Sequence, residues 1–286
     1  MRFALLGLAV FLSTAGAAQS VPSAISSDPP SDARHPAAMA VLHIPSHGLL
    51  INGIVYQPAG AGPHPTLIIC HGLPGNEKNL DLAQAVRRAG WNAVTFNYRG
   101  SWGSPGNFRF AQNLEDAAAV LDYLREPANA SRLGIDTKRI AMAGHSMGGW
   151  VTALTAAHDQ GLIGVILISA ADMGDMGNLP REKVAAEMAD NMEALAGVTA
   201  ESMAGEVIVN HELFSLNNAV AGLVRLPLLV LTANDGLAPR ADELVKAIRA
   251  KGGKQVTVIH AETDHGWSDH RIYLETEVIN WLAELK

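Results

Sequence analysis

The chain is poor in cysteine, with Cys70 alone among 286 residues. An intramolecular disulfide is therefore excluded, even in an oxidising compartment. It also lacks any cluster of Lys and Arg. The 21 basic residues are outnumbered by 28 acidic ones, for a formal charge of -7. Such a balance offers no footprint for a nucleic-acid backbone, so nucleic acid is not expected as a partner. After the N-terminus no run of 18 uncharged apolar residues occurs, which excludes a transmembrane helix from the sequence pattern. The 11 histidines include no H-E-x-x-H or comparable cluster, so neither a metal nor another cofactor is expected. There is no internal repeat.

What is present begins with MRFALLGLAVFLSTAGAAQS. Arg2 supplies a positive start, residues 3–12 an apolar core too short to span a bilayer, and residues 15–18 small side chains suited to a signal peptidase. Residues 1–18 thus read as a signal peptide. The expected destination is the periplasm or the medium, with no membrane contact after cleavage. Residues 19–38, rich in Ser, Pro and Ala, read as a flexible lead-in. Residues 39–286 then form one domain, and a chain that is 48% hydrophobic can bury a large core.

Apolar runs alternate with amphipathic ones along that domain. Residues 41–44 and 49–56 predict an antiparallel pair joined through Pro45 to Gly48. Strands follow at 66–70, 92–97, 139–143, 164–169, 226–232 and 255–260. Helices are expected near 79–89, 111–125, 147–158, 240–251 and 270–285. Short apolar runs separated by helices of this length predict an α/β fold, a mostly parallel, doubly wound sheet of about eight strands covered on both faces. Residues 172–222 break the rhythm with helical patterns and read as a helical cap inserted over one edge of the sheet.

Gly144-His145-Ser146-Met147-Gly148 fits G-x-S-x-G. With 27 glycines and 15 serines, the pattern should arise by chance in about one such chain in eight, so its context decides. A buried strand runs into it and a helix leaves it, which is the setting of a nucleophile elbow whose glycines remove side chains that would strike neighbouring elements. A serine needs a base, and the base an orienting acid. Asp235 lies just past the strand at 226–232, and His265 in the loop beyond the last strand. Ser146, Asp235 and His265 therefore stand in the order that this arrangement requires. Asp172, just past the strand at 164–169, is the competing acid; Asp235 is preferred because a helix follows its short loop directly. His260 falls in the last strand and His270 at the start of the last helix, which leaves His265 as the base.

The backbone N–H of Met147 is the first candidate oxyanion donor. The second is that of Leu73, in the loop His71-Gly72-Leu73-Pro74-Gly75-Asn76, since Pro74 has no N–H. His71 either contacts substrate or holds this loop in shape, and His145 is a further candidate to line the substrate site. Cys70 ends an apolar run and reads as a buried thiol.

HGLPGN, NYRGSWGSPG, GHSMGG, the Asp235 loop and TDHGWSDHR together resemble the α/β-hydrolase superfamily over 39–286. The combination of Asn97-Tyr98-Arg99-Gly100 with Gly103, Ser104 and Gly106 resembles its prolyl oligopeptidase-like and dienelactone hydrolase-like branches. That resemblance implies that Tyr98 and Arg99 border the substrate site. Ser146 stands where dienelactone hydrolases proper carry cysteine, and a chain of this length has no room for a propeller. The expected activity is a serine hydrolase acting on a small-molecule ester. The alternatives are a peptidase or amidase acting on a short peptide with the same triad, and a non-catalytic binding protein on the same fold.

Overall fold

A computed structural model describes residues 20–285; the signal peptide expected at 1–18 lies outside them. The eight strands are β1 (Ala38–Ser46), β2 (Leu49–Gln57), β3 (His64–Cys70), β4 (Asn92–Phe96), β5 (Ile135–His145), β6 (Leu162–Ile168), β7 (Leu228–Thr232) and β8 (Val256–His260). They form one sheet in the order β1-β2-β4-β3-β5-β6-β7-β8. β1 pairs antiparallel with β2, and β2 with β4; every other pairing is parallel. The fold is thus the expected mostly parallel α/β sheet. The first hairpin turns on two residues, His47 and Gly48, both at positive φ (46° and 82°), as tight hairpins favour. Pro45 and Ser46, expected in the connection, are still in the ladder.

Parallel strands covered on both faces must be apolar on both, and alternate side chains of one strand enter different cores. Ile68, Met142, Val165 and Val230 join one core, with α3 (Phe110–Arg125), α5 (Met147–His158) and α10 (Ala238–Ala250). Leu67, Ala141, Ile166 and Leu229 join the other, with α2 (Leu80–Arg88) and α11 (Arg271–Glu284). Cys70 is fully buried, and burial pushes its thiol up to about 12.

Between β6 and β7 the chain forms α6 (Met173–Met176), α7 (Arg181–Ala189), α8 (Ala200–Val209), a 3-10 turn (Leu216–Ala219) and α9 (Val220–Leu223). This is the stretch read as a cap. Its loop 194–196 lies against the loop after β4: Trp102 N–H donates to Ala194 O at 2.9 Å and Ala196 N–H to Gly100 O at 2.8 Å.

Three further details differ from the sequence reading. The lead-in contains a helical turn, α1 (Ser23–Ser26), and the Arg88 guanidinium donates to the carbonyls of Ala24 and Ile25. A short helix, α4 (Pro127–Leu133), precedes β5; Glu126 caps it and Gly134, in the left-handed region, ends it. β5 also begins four residues earlier than the apolar run at 139–143, because Ile135 pairs with His64. Among the described residues no helix is long and apolar enough to cross a membrane.

Candidate active site

The site lies at the C-terminal ends of β3, β5, β6, β7 and β8, the side on which open α/β sheets bind ligands. β5 delivers His145 and the chain reverses at Ser146, whose φ of 57° and ψ of -123° are strained for a residue with a Cβ. The neighbours make the turn possible. A Cβ on Gly144 would lie 2.0 Å from Gly148 O, and one on Gly148 would lie 2.1 Å from Cys70 O. A Cβ on Gly149 would meet Ala170 Cβ at 2.5 Å. Hydrogen bonds then pin the apex: Ser146 N–H donates to Ile168 O, and Ala171 N–H to Ser146 O, each at 3.0 Å. α5 starts at once, so its free N–H groups and the positive end of its dipole face the serine.

β7 and β8 lead into the loops of the candidate acid and base. His265 Nδ1 donates to Asp235 Oδ2 at 2.8 Å; the Asp235 side chain is 3% exposed and that of His265 42%. An acid closed off from water thus holds one edge of an imidazole that solvent can reach. Burial raises the Asp235 pKa. The bonds from His265, the Leu237 N–H and the Ser169 hydroxyl outweigh that effect and hold the carboxyl below its ordinary value. Ser146 Oγ and the His265 ring make no hydrogen bond with each other. In enzymes without substrate this contact is commonly long and tightens on binding.

Asp172 is engaged differently. Its carboxylate caps α6, accepting from Gly174 N–H at 2.9 Å and Asp175 N–H at 3.3 Å, and also accepts from Leu216 N–H at 3.3 Å. Of the two candidate acids, the structure brings only Asp235 to His265.

The loop 71–79 passes over the serine. A Cβ on Gly72 would lie 3.0 Å from Ser146 Cβ and 3.5 Å from Ser146 Oγ. Among the described residues neither the Leu73 nor the Met147 N–H donates to a protein acceptor. His71 folds back within its loop, Nδ1 to Gly72 O at 2.8 Å, and its ring fills the space that a Gly75 Cβ would need.

Tyr98, Arg99 and His145, expected to line the substrate site, are instead buried beneath it, and His71 takes the second of its two expected roles. His71 is buried and holds the loop. Tyr98 is buried, with its hydroxyl donating to His71 O at 3.2 Å. Arg99 is spent on Asp116, a fully buried acid on α3 that accepts from Arg99 Nε at 2.6 Å and from Ser46 Oγ at 2.5 Å. His145 is 4% exposed and its Nε2 donates to His265 O at 2.8 Å, bracing the loop of the base from below. For Tyr98 and Arg99 the expectation came from the family resemblance, and for His145 from its place in the elbow. Burial gives them supporting roles.

Other supports were not visible in the sequence. Ser169, at the end of β6, accepts from Trp267 Nε1 at 3.1 Å while it serves Asp235. Arg271 clamps the base loop to α2, donating to Gly266 O at 3.1 Å and to both oxygens of Asp81 at 2.6 and 2.7 Å. The one available signal for these residues was their place beside a strand end or His265.

Burial lowers His71 and His145 to about 4 from 6.5. Both are therefore neutral in the fold, and protonation favours the unfolded chain. Their stabilising contribution is complete above pH 6.5 and is lost as pH falls towards 4, by about 3 kcal/mol for each. Chemical unfolding should show this loss across that window. His145→Gln keeps a donor for His265 O and should flatten the slope; an unchanged slope would exclude His145 from the effect.

Beside the site a cavity of about 460 Å³ opens between the segment that follows β6 and the start of α10. It touches Ala171, whose N–H holds Ser146, and Leu237, whose N–H holds Asp235. Met176, Leu179 and Val184 give it apolar walls. Among the described residues no group of three or more His, Cys, Asp or Glu could hold a metal ion.

Residues 70–269 match the model of a family described by its α/β-hydrolase fold. An uncharacterised 31.7 kDa protein of the traX-finO intergenic region of Escherichia coli is 35% identical over 108 residues, which is 36% of either chain. The quorum-quenching protein AidA of Acinetobacter baumannii is 30% identical over 137 residues, 46% of this chain and 43% of that one. The alignments thus span well under half the length of these curated relatives. Est1E of Butyrivibrio proteoclasticus, solved with ferulic acid bound, superposes with a TM-score of 0.69 at 19% identity, over 85% of this chain and 98% of its own. An acylaminoacyl peptidase of Pyrococcus horikoshii gives 0.66 at 16% identity, over 87% of this chain and 42% of its own. At such identities the likeness is one of fold.

Proposed function

The chain belongs to the α/β-hydrolase family that its residues 70–269 match, and from that premise we propose that it is an exported serine hydrolase cleaving the ester bonds of small acyl substrates. The observation that carries this reading is the 2.8 Å bond from His265 Nδ1 to the closed-off carboxylate of Asp235, at the strand ends that also present Ser146 at positive φ. Export rests on the signal-like pattern of residues 1–18.

The proposed chemistry uses that geometry. Ser146 Oγ attacks the ester carbonyl carbon as His265 Nε2 takes its proton, and Asp235 stabilises the imidazolium so formed. The carbonyl oxygen gains the negative charge and accepts from the Leu73 and Met147 N–H groups. Collapse breaks the bond to the alcohol, which leaves with the proton from His265. Water then gives a proton to His265 and attacks the acyl-enzyme, and Ser146 Oγ departs reprotonated as the acid is released. The cavity beside Ala171 and Leu237 takes the acyl group against its apolar walls.

One observation favours the peptidase reading. The lining of that cavity carries the carboxyl groups of Asp172, Asp175, Glu187 and Asp190 against the cations of Lys183 and Arg240. Such an excess suits a substrate with a free amino group. Turnover of p-nitrophenyl butyrate and of an aminoacyl p-nitroanilide decides between the two. We expect the ester to be hydrolysed with the larger kcat/KM and Ser146→Ala to lose that activity with its circular dichroism intact. A larger value for the anilide would reverse the assignment of substrate class.

A further inference from the structure

We infer that Trp102 is a positioning residue for the oxyanion loop, holding the Leu73 N–H in register with Ser146. The inference rests on the proposed role of Leu73 as an oxyanion donor. Trp102 lies in the loop after β4, at positive φ (47°), and is 38% exposed. A tryptophan so placed adds little to the core, yet it is engaged on several sides. Its Nε1–H donates to Pro74 O at 2.6 Å, one residue beyond Leu73. The face of its ring carries the Lys78 ammonium at 4.1 Å from the centroid. Lys78 Nζ also donates to Asn97 Oδ1 at 3.0 Å, and Asn97 Nδ2 donates to Trp102 O at 3.3 Å.

One indole therefore grips the loop at both ends, Pro74 by its edge and Lys78 by its face. The segment between contains Gly75 at φ 95°, and a chain with such freedom needs outside contacts to keep one shape. The grip is itself anchored to the cap, because the Trp102 N–H donates to Ala194 O at 2.9 Å. Asn76, at the outer tip of the same loop, donates from Nδ2 to Glu193 Oε1 at 2.8 Å. Cap loop, Trp102 and oxyanion loop form one connected unit. A donor that drifts by an ångström from the developing oxyanion loses most of its effect on the transition state, while ground-state binding is little changed.

Trp102→Phe separates the two contacts, because it keeps a ring face for Lys78 and removes the N–H. With p-nitrophenyl butyrate we expect kcat to fall at least roughly tenfold with KM unchanged, against the hundredfold or more that follows loss of an oxyanion donor. The rate of fluorophosphonate labelling of Ser146 should fall by the same factor, since its P=O oxygen takes the same donors. Lys78→Met releases the other end of the loop and should lower kcat less than Trp102→Phe, again without change in KM. Melting temperatures should stay within a few degrees of the parent, as for other exposed substitutions. An unchanged kcat in Trp102→Phe, or a raised KM with kcat intact, would overturn the inference. Turnover by the unmodified protein and its loss in Ser146→Ala report separately on the underlying reading. A protein that hydrolyses the ester but is indifferent to both substitutions contradicts the role of Trp102 alone.

Discussion

Asp235→Asn is expected to lower kcat for p-nitrophenyl butyrate by about four orders of magnitude, while Asp172→Asn lowers it by far less. The contrast follows from what each carboxylate holds. Asp235 accepts from His265 Nδ1 at 2.8 Å and is fixed from the other side by the Leu237 N–H at 2.9 Å. An asparagine there can present its NH₂ to Nδ1. That would favour the tautomer with the proton on Nε2, which cannot accept a proton from Ser146. It also leaves the imidazolium of the transition state without a counter-charge. Asp172 binds backbone N–H groups of the cap instead. Its amide would still accept from some of them, so the expected cost is local stability, about 1 kcal/mol as for other helix caps. Steady-state kinetics of the two variants tests the assignment, and a four-decade loss confined to Asp172→Asn would reverse it.

Gly148→Ala should damage fold and activity together. The added Cβ would lie 2.1 Å from Cys70 O and 2.6 Å from His71 O. Both atoms are backbone of the β3 end, where no side chain can swing away. Relief requires α5 to move off the sheet, and α5 carries the Met147 N–H and sets the angle of Ser146. Overpacking of a fixed core costs roughly 1–3 kcal/mol and occasionally more; this backbone-on-backbone clash belongs at or beyond the upper end. Gly205→Ala is the matched control, because the nearest atoms to its Cβ are the Arg181 guanidinium nitrogens at 3.8 Å. Inside α8 that change should be neutral or stabilising by up to about 1 kcal/mol. Denaturant midpoints of the pair check the claim, and equal effects would contradict the packing argument.

Most of the sheet was legible from the chain because each buried strand is a short apolar run and each covering helix a longer amphipathic one. The candidate site was legible for a second reason. Its proposed nucleophile, acid and base each follow a strand, and strand order constrains where they can be. Polar contacts between distant segments left no such trace. The family resemblance placed Tyr98 and Arg99, which follow β4, beside the site. Asp116, on a helix further along, pulls Arg99 away from it. Ser169 looks like the last residue of an apolar strand, and its partner Trp267 lies 98 positions later. The register of the cap loop on residues 100–102 likewise has no periodic signature. Hydrophobic period fixes which face of an element is inside. It says little about which buried polar group answers which.

The groups that titrate outside the proposed triad pull stability in opposite directions. His71 and His145 favour the fold at neutral pH and lose that effect towards pH 4. Burial, with the nearby Asp81 carboxylate, pushes Glu275 up to about 7 from 4.5. Its contribution is complete below pH 4.5 and is lost as pH rises through 7. For these three groups the joint contribution is largest at mildly acidic to neutral pH.

The central claim is that Ser146 is a nucleophile activated in place. Its most direct test is the mass of the tryptic peptide carrying Ser146 after the folded protein reacts with a fluorophosphonate. The account predicts one phosphonyl adduct per chain, on Ser146, absent after heat denaturation and absent in Ser146→Ala. An unlabelled Ser146 in a protein that still hydrolyses p-nitrophenyl butyrate would contradict it.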